Sequence, residues 1–288
     1  MTARTDDAPD RAYLTTPDGV RLRVRSAGDP ARSAVLIASA CGMPVGLCDA
    51  WVRFLARDHH VLTWETRGLS DGGCEISEGA FDALGHQVAD QVEDMKAVLD
   101  HFQVGRAHVM GLCGGATLAL RMAAEHPGPV ASLSLWHGDF ELGPDSPRSG
   151  HQRNLQALLD IAVESRQSAT TVHAALLQNA RAGLPPDIAH LVLHPYRDAE
   201  TFYRYARLNG ALMSEDVRAV LPGIAVPALV VTSEDDRTTH PAGSRGVAAA
   251  LPHAQLHVEP HGDHISLFAA GTPVTDAARR FLAAAGRV

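Results

Sequence analysis

Gly111-Leu112-Cys113-Gly114-Gly115 joins a nucleophilic side chain to a backbone that can turn sharply. The apolar run AHVM precedes it and the helix-forming stretch ATLALRMAAEH follows. Strand, tight turn and helix form the setting of a nucleophile elbow, where a strained turn flanked by small residues exposes the nucleophile at the end of a sheet. A cysteine there stands at the positive end of a helix dipole, and a neighbouring imidazole would add to the preference for thiolate. Cys113 is therefore read as a nucleophile, against the plainer alternative of a cysteine buried in a Gly-rich turn. The other cysteines, Cys41, Cys48 and Cys74, have no CxxC or Cys/His spacing that would build a zinc site. His240, His253, His257 and His261 are scattered without an i,i+4 pair, so no metal is expected. The elbow is the one Gly-rich strand–helix turn and has neither GxGxxG nor GxxxxGK[ST], so no cofactor is expected.

The elements that must position Cys113 alternate. AVLIAS (34–39), HVLTW (60–64), AHVMG (107–111), ASLSLW (131–136), ALVVT (228–232) and QLHVE (255–259) are short apolar runs suited to strands buried on both faces. Helix-period stretches lie between them, at Phe81 to Phe102, Gly114 to His126, Pro241 to Leu251 and Val274 to Ala284. The pattern predicts an α/β fold with a mostly parallel central sheet and helices on both faces. Ahead of it, Tyr13 to Thr16 and Val20 to Val24 flank Pro17-Asp18-Gly19, a hairpin signal, and residues 1–12 are expected to be disordered. From 139 to 220 the alternation stops, leaving helix-like pieces at Asn154–Val163, Thr171–Ala182 and Ala199–Met213. That interval is read as an inserted helical cap, with 13–138 and 221–288 as the core domain.

The elbow in this setting resembles the α/β-hydrolase superfamily, in a variant with cysteine in the usual serine position. GxCxG elbows of similar form occur in dienelactone hydrolases and polyhydroxyalkanoate synthases. In the family the acid follows the penultimate core strand and the histidine follows the last. Val226 to Arg237 resembles the strand-then-GxxD segment, with Ser233 in the glycine position, Asp236 in the acid position and Asp235 one residue away as the alternative. His261-Gly262-Asp263-His264 resembles the GxGH turn, which makes His264, 28 residues after Asp236, the histidine. The resemblance implies an oxyanion hole from the backbone N–H groups of Gly114 and Met43, the latter in Cys41-Gly42-Met43-Pro44 where the family has HG. It implies a substrate pocket touching Cys41, Leu112, Trp136 and His137, roofed by cap residues such as Leu155, Leu158, Leu159, Tyr196, Phe202, Tyr203, Tyr205 and Leu208. Trp64-Glu65-Thr66-Arg67-Gly68 resembles the family's DxRG, with Arg67 tying loops together.

A Cys113–His264–Asp236 set implies esterase- or thioesterase-like hydrolysis or acyl transfer on a small, largely apolar acyl compound, with carrier- or CoA-linked substrates open. Two alternatives stand beside it. His264 could act as a base that eliminates a carboxylate, as esterase-like lyases of this fold do with acetylated tetronates in polyketide biosynthesis, or the chain could be a ligand-binding hydrolase scaffold. The 288 residues carry a formal charge of −8 and no Lys/Arg run, which argues against a nucleic-acid partner. No apolar run approaches the roughly 20 residues of a membrane span, and the polar start MTARTDDAPDRA has no secretory core, so cytoplasm is the expected location.

Overall fold

The computed structural model describes residues 10–69, 76–179 and 186–286. Eight strands form one sheet: β1 (Asp10–Thr15), β2 (Arg21–Ala27), β3 (Ala34–Ala38), β4 (His60–Trp64), β5 (Ala107–Leu112), β6 (Val130–Trp136), β7 (Ala228–Ser233) and β8 (Ala254–Glu259). Their order is β1-β2-β4-β3-β5-β6-β7-β8, with β1–β2 and β2–β4 antiparallel and every later pairing parallel. The N-terminal expectation needs correction, because Asp10 to Ala12, read as disordered, pair with Ser26 to Val24 in the hairpin. Residues 1–9 of that segment lie outside the described residues.

Ten α-helices accompany the sheet among the described residues: α1 (Asp49–Leu55), α2 (Glu78–Asp82), α3 (Val88–His101), α4 (Gly115–Glu125), α5 (Gly150–Ala162), α6 (Arg166–Asn179), α7 (Pro186–Val192), α8 (Ala199–Met213), α9 (Pro241–Ala250) and α10 (Thr272–Ala285). Alternate residues of each inner strand feed two cores, as the period of two requires. Leu36, Val109 and Leu133 join Met95 and Leu99 of α3 and Leu118 and Met122 of α4, whereas Val35, Ile37, Met110 and Leu112 join Trp51 and Leu55 of α1 and Phe281 of α10. β8 departs from the two-sided burial expected of it. It is the sheet's edge, paired only with β7, and Leu256 is 42% exposed.

The helix expected from Phe81 to Phe102 is two helices. A Cβ at Gly85 would fall 2.2 Å from the Asp90 carboxyl group, and that carboxylate accepts the Gln87 N–H at 2.8 Å to start α3. Arg67 does tie loops together: fully buried, it donates to both carboxylate oxygens of Asp94 at 2.8 and 2.7 Å, to Asp18 at 3.0 Å and to the Gly85 and Asp90 carbonyls. Helices α5 to α8 follow β6 and precede β7 in the chain, all four within residues 139–220. A parallel bridge joins Glu141 to Asp216 at the two ends of this insertion. α5 starts four residues before the expected Asn154, because Ser149 and Gln152 form a capping box. Residues 180–182 of the second expected cap helix and Cys74 lie outside the described residues. No helix among the described residues is long and apolar enough to cross a membrane.

Candidate active site

β5 ends at Leu112 and α4 begins at Gly115, so Cys113 occupies a two-residue turn at the carboxyl edge of the sheet. Its φ of +54° lies in the left-handed region, which a cysteine adopts only under constraint from its surroundings. That constraint is visible on both sides. The Cys113 N–H donates to Trp136 O at 3.0 Å, and its carbonyl accepts from Ala116 N at 3.0 Å. The flanking glycines are forced by close approach: a Cβ on Gly111 would lie 2.5 Å from Ala116 Cα, and one on Gly115 would lie 2.1 Å from Ala38 O. Gly114 faces no such obstacle, and its N–H belongs to the first turn of α4, where donors have no intrahelical acceptor.

Asp236 follows β7 in a tight loop and is buried. Its Oδ1 accepts from Thr238 N at 2.8 Å and Thr239 N at 3.0 Å. Its Oδ2 accepts from three side chains: Thr239 Oγ1 at 2.9 Å, His264 Nδ1 at 2.9 Å and His137 Nδ1 at 2.7 Å. Burial by itself would raise the carboxyl group, but the two imidazole bonds outweigh it and hold Asp236 well below the usual carboxylate range. Asp235, the alternative acid, is exposed and meets His261 instead, at 3.0 Å.

His264 is buried beside the Cys113 side chain, close enough to feel its charge. Burial disfavours its charged form, yet the charges of Cys113 and Asp236 prevail and lift its pKa to about 10. Asp236 and His264 are therefore joined by a hydrogen bond, with the Cys113 side chain beside His264. Among the described residues, His137, Asp236 and His264 are also the one trio whose nitrogen and oxygen atoms cluster closely enough to suggest metal ligands. Both Nδ1 atoms lie at hydrogen-bond distance from Asp236 Oδ2, which as a carboxylate oxygen accepts from them.

The expected pocket residues separate. Leu112 and Trp136 are fully buried in the α1–α10 core, with the Trp136 ring 5.0 Å from that of Trp51, so neither lines an opening. His137 turns the other way through a φ of +48° and is buried against Asp236. Cys41 is buried and borders a small cavity of mixed lining with Trp64, Thr66, Arg67, Gln91, Asp94 and Leu118. Met43 N–H closes a turn on Ala40 O through a long 3.3 Å bond. From the insertion, Tyr196 and Tyr205 are joined by their side chains and stand close enough to feel the charge of Cys113 and Cys41. Phe202 is fully buried with its ring 5.6 Å from that of Tyr196 and 6.2 Å from that of His173, and Leu208 is fully buried in the same apolar cluster. Asp139, overlooked in the sequence, donates its N–H to the Cys113 carbonyl at 3.4 Å.

The family model described as alpha/beta hydrolase fold matches residues 35–270. The chain belongs to this family. Among similar proteins, this α/β-hydrolase is 29% identical over 236 residues to RutD of Variovorax paradoxus, named for carbamate hydrolysis, spanning 80% of this chain and 84% of that one. It is 25% identical over 241 residues to an L-allo-isoleucyltransferase of Pseudomonas savastanoi pv. glycinea, covering 82% of each. The enol-lactonase from Burkholderia xenovorans LB400 shares the α/β-hydrolase fold at a TM-score of 0.71 and 23% identity, over 94% of this chain and all of that one. Membership of this family makes the chain an enzyme of the hydrolase kind that acts on a small molecule.

Proposed function

We propose that this α/β-hydrolase cleaves or transfers a small, largely apolar acyl group through an acyl-thioenzyme on Cys113. The observation that carries the reading is the left-handed elbow cysteine beside His264, which is itself held by Asp236. His264, whose raised value keeps it protonated, already holds the proton as Sγ adds to the acyl carbonyl. The negative oxygen of the tetrahedral adduct turns toward Gly114 N–H and toward Met43 N–H, which its long bond to Ala40 leaves weakly engaged. Collapse breaks the bond to the leaving group, which takes its proton from His264. An incoming water, thiol, amine or alcohol then returns a proton to His264 and releases the acyl group from sulfur.

Sulfur in the elbow suits thioester donors in particular. Moving an acyl group from a carrier or CoA thiol to Cys113 exchanges one thioester for another, so the enzyme-bound acyl group keeps its reactivity toward a second acceptor. The transferase name of one relative agrees with this direction.

Intact-protein mass spectrometry after incubation with acyl-thioester and aryl-ester panels tests the proposal. The expected result is an acyl mass on Cys113 that is absent from Cys113→Ala, with turnover in that variant lowered by about 10⁶, the scale of deleting a triad nucleophile. Elimination by His264 gives the opposite pattern. No adduct forms, Cys113→Ala retains turnover, and His264→Ala loses about 10²–10⁴.

A further inference from the structure

Asp139 is a buried carboxylate beside the elbow that the Cys113–His264–Asp236 set does not use. Its backbone is fixed at both ends: the N–H reaches Cys113 O at 3.4 Å, and the carbonyl accepts from Thr117 Oγ1, in the first turn of α4, at 2.9 Å. Its Oδ1 accepts from Gln152 Nε2 at 2.6 Å. The orientation of that amide is set by its own oxygen, which accepts from Ser149 N at 2.8 Å and His240 N at 3.0 Å. Oδ2 has no hydrogen bond from the described residues, and it is not among the side-chain atoms sealed from solvent without a partner. One carboxylate oxygen, on a residue only 9% exposed, is thus left open toward space that solvent reaches.

A carboxylate this deeply buried ordinarily has a cation against it. Among the described side chains, only a neutral amide hydrogen-bonds the Asp139 carboxylate. Arg148 Nη1 donates to Glu141 at 3.2 Å, and Arg148, His264 and His151 act on the Asp139 carboxylate through charge without an ion pair to it. We propose that Asp139 Oδ2 binds the ammonium group of an α-aminoacyl substrate, so that the acyl group delivered to Cys113 is an aminoacyl group. An α-ammonium is one carbon away from the carbonyl that Sγ attacks, and Asp139 is held against the backbone of Cys113 itself. Burial raises the Asp139 carboxyl above its ordinary value despite Gln152, Arg148, His264 and His151, and an ammonium ion in contact would favour its charged form. The inference rests on the acyl-thioenzyme reading and adds the substrate class to it.

The test compares two N-acetylcysteamine thioesters that differ only in the ammonium group, L-valyl and isovaleryl, by the rate at which each acylates Cys113. A hydrogen bond to a charged group contributes about 1.5–3 kcal/mol, so wild type should prefer the valyl thioester by about 10- to 100-fold. Asp139→Asn, which keeps the shape and cannot carry the charge, should bring the ratio near one. Equal rates in wild type, or a preference that survives Asp139→Asn, overturns the proposal while leaving acylation of Cys113 standing. A binding comparison needs neither a folded variant nor turnover: L-valinamide should protect Cys113 from alkylation at least 10-fold better than isovaleramide. Equal protection also overturns the ammonium site. If neither thioester acylates Cys113, the acyl-thioenzyme reading falls, and the two amides still decide whether an ammonium is bound.

Discussion

His137 and His264 donate from Nδ1 to the same oxygen of Asp236, at 2.7 and 2.9 Å, with their ring planes 80° apart. Shared in this way, the carboxylate is fixed along two directions, and His264 cannot swing without breaking a bond that His137 and Thr239 hold in place. Loss of a hydrogen bond to a charged group is expected to lower turnover by about 10- to 100-fold in His137→Ala. His137→Asn should recover most of it, since the amide nitrogen takes the place of Nδ1 and asparagine tolerates the left-handed backbone. Steady-state kinetics on both variants, beside Asp236→Asn and Asp235→Asn, check the assignment. Asp236→Asn should be worst, by up to about 10⁴ as for the orienting acid of a serine protease, and Asp235→Asn nearly silent.

Thiol labelling separates the cysteines. Burial pushes Cys41 up to about 12 and Cys48 up to about 11, so both stay protonated near neutral pH, whereas Cys113 is partly exposed and lies beside His264. Iodoacetamide at pH 7.5 should modify Cys113 well before Cys41 or Cys48, and peptide mass mapping should find activity lost in step. Faster labelling of Cys41 with activity intact would remove Cys113 from the chemistry.

The pH dependence follows from His264. Its folded value of about 10 lies above the ordinary 6.5, so the proton stabilises the native state fully below about pH 6.5, and that stabilisation is lost as pH rises through 10. Acylation rates that depend on His264 donating a proton to the leaving group should likewise fall through about pH 10. Imidazole NMR titration should place the His264 transition there in wild type and lower in Cys113→Ala, which removes the largest contribution raising it.

The Arg67–Asp94 pair is a stability element, buried at both ends and bidentate. Asp94→Ala strands a guanidinium that retains only Asp18 and two carbonyls. Urea unfolding should register a loss of about 3–5 kcal/mol. The double change Arg67→Met with Asp94→Leu should recover much of it, because no buried charge is then left unpaired.

The elbow turn that carries Cys113 was legible in a contiguous stretch, because such a turn is built from neighbouring residues, and Gly111 and Gly115 are demanded by contacts of the turn itself. Asp236 and His264 could be found because each follows a strand whose apolar run is local, and the βα alternation reports the parallel sheet for the same reason. Tertiary structure alone decided which side chains face the site. Leu112 and Trp136 adjoin reactive positions in the chain but point into the core, because the face a strand residue occupies depends on how the sheet packs against α1 and α10. His137 meets Asp236 across 99 residues, and Asp139 meets Gln152 only once the insertion folds back over the elbow. No periodicity encodes such encounters, since they arise where separate elements converge at the carboxyl edge of the sheet.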